Sequence, residues 1–287
     1  MDLNEFSKRH RHFLEEAMFG IGRRLKRHAR NFRHVDHSID TEVIAVKELE
    51  LSPAQKHEIQ KGRDGLARIL AASDAEIHDR RFLLDCVCQI GIAYQDWQAL
   101  SPFTRFINST SYGIVQIPTE LVDYLMIAGK FRPETVAEVG VFHGGTAYIS
   151  AAYFYRLNKN LRYTLIDICD SLFDYDYLSS VLPLDLQIPK TSGDFIGRHF
   201  DLAFIDADHG YDGSRIDWLN VGRHAGVAAF HDIDGAEYDG LNGGIRRTWN
   251  ELKLEYRMDR PIIEVSHHPS WMGIGMIFND RAVSTGF

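Results

Sequence analysis

Residues 135–146 read Thr-Val-Ala-Glu-Val-Gly-Val-Phe-His-Gly-Gly-Thr, an apolar run closing on an acid and a glycine-rich turn. A helix-compatible stretch, 147–155, follows at once. No other segment constrains the fold as tightly. A strand–turn–helix of this kind sets backbone N–H groups and a helix N-terminus at the carboxyl edge of a sheet, a ready place for a polar cofactor. Two common owners of such loops are excluded. A dinucleotide G-x-G-x-x-G needs glycine where Phe142 stands, and a P-loop needs lysine where Thr146 stands.

Further apolar runs follow at 163–168, 186–188, 200–205, 227–230, 262–265 and 273–278, with helical segments between most of the early ones. This alternation predicts an α/β fold: a doubly wound, mostly parallel, seven-stranded sheet with helices on both faces. In such sheets ligands sit beyond the carboxyl ends of the strands. Upstream, Ser52-Pro53 reads as an N-cap and first helical position for a helix running to about Ala72. Ser73-Asp74-Ala75-Glu76 reads as a capping sequence opening another helix to about Leu100. The Ser-, Thr-, Asn- and Gly-containing stretch 101–113 is the expected junction. The expected organisation is a helical N-terminal region, 1–110, and a sheet domain, 111–287. The length of 287 residues, 45% of them hydrophobic, suits one large unit plus a smaller one.

Net charge is −8, which argues against nucleic acid as the partner of the whole chain. Residues 1–34 depart from this, with nine Lys/Arg and four His against four acids. Within 5–30, Phe13, Ala17, Ile21 and Leu25 form a partial helical stripe that Gly20 and Gly22 interrupt. The preferred reading is a basic helix packed on the acidic body or on a dimer mate, which makes this region a candidate homo-oligomer contact. Cys86, Cys88 and Cys169 do not form a disulfide framework, and Cys86-x-Cys88 fits buried helix positions. There is no apolar run of about 18 residues, so no membrane span is expected. The acidic, polar opening Met1-Asp2-Leu3-Asn4-Glu5 lacks a secretory core, and a cytoplasmic location is the expectation.

Glu138 falls near the end of the first strand, and Gly140, Gly144 and Gly145 let the chain turn and a ligand approach the backbone. Asp167 ends the second strand, where a carboxylate can accept both hydroxyls of a ribose or cap a helix. Ser192-Gly193-Asp194 precedes the fourth strand, a place for a loop holding a base or for an ordinary turn.

These elements resemble the class I S-adenosylmethionine-dependent methyltransferases over residues 112–280. The resemblance rests on Glu138-x-Gly140-x-x-x-Gly144-Gly145-Thr146, the strand-end Asp167, and Phe200-Asp-Leu-Ala-Phe-Ile-Asp206-Ala-Asp208-His209-x-Tyr211. Phe230-His231-Asp232-Ile233 and Gly243-Gly244-Ile245-Arg246-Arg247-x-Trp249 are similar to the small-molecule O-methyltransferase branch, which includes macrolide-sugar and catechol-type enzymes. The resemblance implies a Rossmann-like fold and a bound S-adenosylmethionine. It implies Gly140 and Gly144, with Gly145 and Thr146 beside them, along the cofactor. It also implies Glu138 near the methionine end, Asp167 on the ribose and Asp194 near the adenine.

Asp206 and Asp232 end adjacent strands, and two carboxylates at one point are hard ligands suited to magnesium. Catechol-type and macrolide-sugar relatives imply such a metal. Where the catechol-type pattern has Asn after the second Asp, this chain has Ile233, which leaves His231 and Asp234 as candidates for the third ligand. Without a metal, the same two acids would orient loops through backbone N–H groups. His209, three residues after Asp206, resembles the Asp-x-x-His of macrolide-sugar enzymes, in which the histidine is the base. His143 is expected to pack beside the cofactor, and Asp208, Tyr211 and Asp217 to be structural. Residues 234–242 read as a substrate lid or a plain surface loop. His267, His268 and Trp271 are further pocket candidates.

The expected function is O-methylation of a small hydroxylated molecule, such as a sugar or glycosylated metabolite, with Asp206 and His209 at the reacting centre. The rivals are an RNA or protein methyltransferase using residues 1–34 as a basic arm, and a non-catalytic nucleotide-binding module. Phe142 weighs against a nicotinamide-dependent oxidoreductase.

Overall fold

A computed structural model describes residues 53–91, 114–267 and 272–279. The segment 1–34 and its oligomer contact, the junction at 101–113, His268 and Trp271 lie outside the described residues.

Helices α1 (Pro53–Ala71), α2 (Arg80–Ile90) and α3 (Pro118–Gly129) precede β1 (Thr135–Val139). Then follow α4 (Gly145–Leu157), β2 (Arg162–Ile166), α5 (Tyr175–Val181), β3 (Leu184–Gln187) and β4 (Leu202–Ile205). The chain continues through α6 (Tyr211–Asn220), β5 (Val227–His231), α7 (Gly244–Tyr256), β6 (Ile262–Val265) and β7 (Ile274–Phe278). The seven strands form one sheet in the order β3-β2-β1-β4-β5-β7-β6. All neighbours are parallel except β7, which runs antiparallel to both β5 and β6. This is the doubly wound, mostly parallel, seven-stranded sheet expected from the alternation of apolar runs.

The strands are short and nearly all buried, because helices cover both faces. Successive residues alternate between the two layers. Val136, Leu165, Leu202, Phe204 and Val227 join the core that includes residues of α1 to α4. Ala137, Val139, Ile166 and Ala203 pack with Phe195, Phe200 and Val221, and Ile205, Ala228 and Phe230 pack with Trp218 and Trp249 of α6 and α7. Glu138, Asp206 and His231 fall in the first of these two alternations. Their polar groups therefore meet on the α3–α4 side of the sheet. Helix α4 is buried on almost every side, since α1 and α3 also pack on it.

The expected helix over 73–100 is interrupted. A single turn, Asp74–Ile77, carries the capping box of Ser73 and Glu76. Asp79 then adopts an extended backbone and accepts the N–H of Arg81 at 2.8 Å, which makes it the N-cap of a second helix. An aspartate favours capping over continuing a helix, because its short side chain competes for nearby backbone N–H groups. Helix α2 ends at Ile90, where Gly91 takes φ 101. Cys86 and Cys88 are buried on α2 as the sequence indicated.

Candidate active site

The bend after β1 depends on glycine. Gly140 has φ +86, and a Cβ there would lie 2.3 Å from the carbonyl oxygen of Asp206. Gly144 has φ +87 and caps α4; its Cβ would meet the ring of Tyr148 at 2.5 Å. No side chain caps α4, so the N–H groups of its first turn remain open to a ligand. The close approach at Gly140 puts this bend directly against the end of β4.

Asp167 lies just beyond β2 and ties this bend to that strand. Its Oδ2 accepts the N–H of Val141 at 2.9 Å and of Phe142 at 3.2 Å, and its Oδ1 accepts that of Cys169 at 3.0 Å. An ionised carboxylate has about four acceptor positions, so one remains for a ribose hydroxyl. Asp194 is occupied differently. It closes a capping box with Thr191 and pairs with Lys190 at 3.3 Å on the surface. His143 donates its Nδ1–H to the Ser171 carbonyl, 2.9 Å away, and packs on Phe142. Glu138 is fully buried and accepts the hydroxyl of Tyr163. Burial pushes its carboxyl up to about 8, against the opposing pull of that hydrogen bond.

Beyond β4 and β5 the acids and histidines converge. His209 Nε2 is 2.9 Å from Asp232 Oδ2 and 3.5 Å from Asp206 Oδ1. His231 Nδ1 is 3.2 Å from Asp206 Oδ1 and 3.3 Å from Asp232 Oδ1. Asp232 takes φ 57, an uncommon conformation for a non-glycine residue and one that clusters at functional sites. Burial opposes ionisation of both aspartates, but the charge of His231 and the hydrogen bonds from both histidines outweigh it and hold them below the usual range. Burial also pulls the imidazole of His209 down; hydrogen bonds to Asp206 and Asp232 outweigh that and push it up to about 10. His231 rises likewise, by the charges of Asp232 and Asp206.

One donor atom each from Asp206, His209 and Asp232 can be chosen so that all lie within 4.8 Å of one another. The two hard carboxylate oxygens fit a small divalent cation that keeps several waters, and the imidazole stands beside them. Of the two candidates for a further ligand, Asp234 is turned aside by the hydroxyl of Ser266 at 2.6 Å, whereas His231 stays at the centre. Asp208 caps the N–H of Gly210 at 2.7 Å, and Tyr211 donates to Glu251 at 2.7 Å; both are structural contacts.

Two contributors escaped the sequence reading. Gln116, 2% exposed, donates Nε2 to Asp206 Oδ2 at 2.9 Å and accepts the Thr146 hydroxyl at Oε1. Tyr238 stacks on His209 with centroids 4.3 Å apart. Neither sits in a recognisable pattern; Gln116 is one polar residue in an apolar stretch, and Tyr238 lies in the polar segment 234–242.

No known family profile matches the chain, and a search of curated proteins finds no match. Solved structures do align with it. The O-methyltransferase NovP aligns over 71% of this chain and 100% of its own, at 11% identity and a TM-score of 0.49. An O-methyltransferase from Bacillus cereus in complex with SAH aligns over 78% and 99%, at 14% identity and a TM-score of 0.44. TomG from Streptomyces achromogenes, an O-methyltransferase involved in tomaymycin synthesis and solved with SAM, aligns over 82% and 92%, at 14% identity and a TM-score of 0.42.

Proposed function

We propose that this chain is an S-adenosylmethionine-dependent O-methyltransferase acting on a small hydroxylated molecule. The observation that carries this reading is the contact between Gly140 and the end of β4. It sets the glycine bend against the strand that delivers Asp206, with His209 and Asp232 beside it. The cofactor would lie over the bend at Gly140, Gly144, Gly145 and Thr146. Its ribose would meet Asp167, its methionine end Glu138, and its adenine the turn at Asp194.

Methyl transfer forms a bond between the acceptor oxygen and the methyl carbon as the methyl–sulfur bond breaks, leaving S-adenosylhomocysteine. Positioning the two reactants in line accounts for much of the barrier reduction, up to about 7–11 kcal/mol in favourable cases. The hydroxyl proton must also leave, and His209 Nε2 is the group placed to take it, a role worth about 10²–10⁴-fold. Asp206 and Asp232 would hold Mg²⁺, which supplies a lowered pKa for a hydroxyl bound to it. Their charges keep His209 protonated near neutral pH when no cation offsets them. Base catalysis by His209 and cation binding by the two acids therefore belong together.

The test combines calorimetry with turnover. S-adenosylmethionine should bind the wild-type chain, and H209A should lose roughly 10²–10⁴-fold in turnover at little change in cofactor affinity. Indifference of the wild-type chain to S-adenosylmethionine overturns the reading. The basic arm on which an RNA or protein acceptor would depend lies outside the described residues.

A further inference from the structure

We infer that Gln116 is a positioning residue that links the cofactor bend to the cation-binding acids, so that occupancy of one strengthens binding at the other. The inference rests on the methyltransferase reading above and names a device within it.

The side chain of Gln116 is buried, and both ends of its amide are used. Oε1 accepts from Thr146, the second residue of α4, at the glycine bend. Nε2 donates to Oδ2 of Asp206, 2.9 Å away, at the end of β4. This orientation is chemically fixed. A flipped amide would turn its carbonyl oxygen toward a carboxylate that chemistry requires to accept, not donate. Oδ2 of Asp206 is thereby committed, and Oδ1 is the oxygen left facing His209 and His231 at 3.5 and 3.2 Å. Gln116 thus makes Asp206 present one oxygen to the reacting centre and sets its rotation by reference to the first turn of α4. Ile114 anchors the segment, with its N–H on the Gly91 carbonyl at 3.4 Å, and Pro118 begins α3 four residues after it. The relay therefore hangs from a fixed backbone.

A ligand that orders the first turn of α4 orders Thr146, and through Gln116 it narrows the rotamers of Asp206 before a cation arrives. A cation on Asp206 acts in reverse by the same amount, as linkage requires. The backbone contact at Gly140 is a second connection, but it is unaffected by side-chain substitution at 116 or 146.

Mn²⁺ serves as the probe, followed by electron paramagnetic resonance, with S-adenosylhomocysteine affinity measured by calorimetry. No turnover is needed. In the wild-type chain, saturating S-adenosylhomocysteine should tighten Mn²⁺ at least about fivefold, the low end of ordinary couplings between sites. Q116L, apolar and of similar length, should bring that factor below roughly twofold. T146V, which removes only the hydroxyl, should do the same, whereas T146S should restore the wild-type factor. These variants keep the question open to refutation if Q116L does not fold. Coupling retained in Q116L or T146V overturns the inference while leaving the methyltransferase reading intact. A wild-type chain that takes up neither Mn²⁺ nor S-adenosylhomocysteine overturns both.

Discussion

The imidazole of His209 lies against the ring of Tyr238, with planes 18° apart, while its Nε2 points away to Asp232 at 2.9 Å. Tyr238 thereby fixes the plane of a ring whose charge two aspartates control. Without a cation, His209 has a pKa pushed from its ordinary 6.5 up to about 10. The folded chain thus holds a proton that the unfolded chain releases. This contribution to stability is complete below about pH 6.5 and is lost as pH rises through 10. Urea titrations of cation-free protein should show wild type losing this increment across that window, and H209Q should lack it. Saturating Mg²⁺ should lower the His209 pKa, read by NMR; an unchanged value refutes cation binding beside it.

Glu138 predicts a second pH effect. Its carboxyl is pushed from 4.5 up to about 8, so the folded state keeps a proton that the unfolded state has lost. Stability should therefore fall as pH rises from about 4.5 through 8, and E138Q should flatten that fall. A cationic cofactor at the methionine end favours the ionised form. Binding S-adenosylmethionine near pH 7 should then release protons, measurable by calorimetry in buffers of different ionisation heat. E138Q should abolish the release.

Glycine substitutions separate two kinds of crowding. Both Gly140 and Gly144 hold positive φ, which costs other residues about 1–2 kcal/mol. G140A would also drive a methyl into the Asp206 carbonyl, which is backbone, whereas G144A meets the Tyr148 ring. G140A should be the more destabilising by denaturant titration and should weaken the cofactor and the cation together. Equal effects from the two would count against the backbone contact at Gly140.

Glu120 is a buried carboxylate outside the reacting centre. From the first turn of α3 it accepts the N–H of His267 at 2.7 Å and of Gly273 at 3.0 Å, holding both ends of the β6–β7 connection. E120A should cost about 1–3 kcal/mol for each N–H left unsatisfied. Thermal denaturation should place E120Q between wild type and E120A, since its amide keeps one acceptor oxygen.

Much of this was readable in the residues because strands buried on both faces announce themselves as apolar runs. The turn at Gly140–Gly145 is equally plain, since only glycine tolerates both the dihedral and the closeness found at Gly140. Asp206, His209 and Asp232 were nameable because each follows a strand end, where a parallel sheet gathers its ligands. Gln116 was not, because its role comes from contacts 30 residues away at Thr146 and 90 away at Asp206. The break at Asp79 was missed for a local reason. The Ser73 cap was legible, but a second cap six residues later competes with continuing the helix, and sequence pattern alone does not rank the two.

The reversed direction of β7 has a consequence for how such a molecule can change. Because His231 pairs with Ile274, the start of the last strand comes back beside the end of the fifth. Asp234 donates its N–H to the Met272 carbonyl at 2.7 Å, so the two are stitched together there. Strand β7 thus borders Asp232 on the side of the sheet away from the glycine bend after β1. Substitutions near that final hairpin should alter the surroundings of Asp232 while the bend at Gly140–Gly145, on the other side of β4, keeps its form.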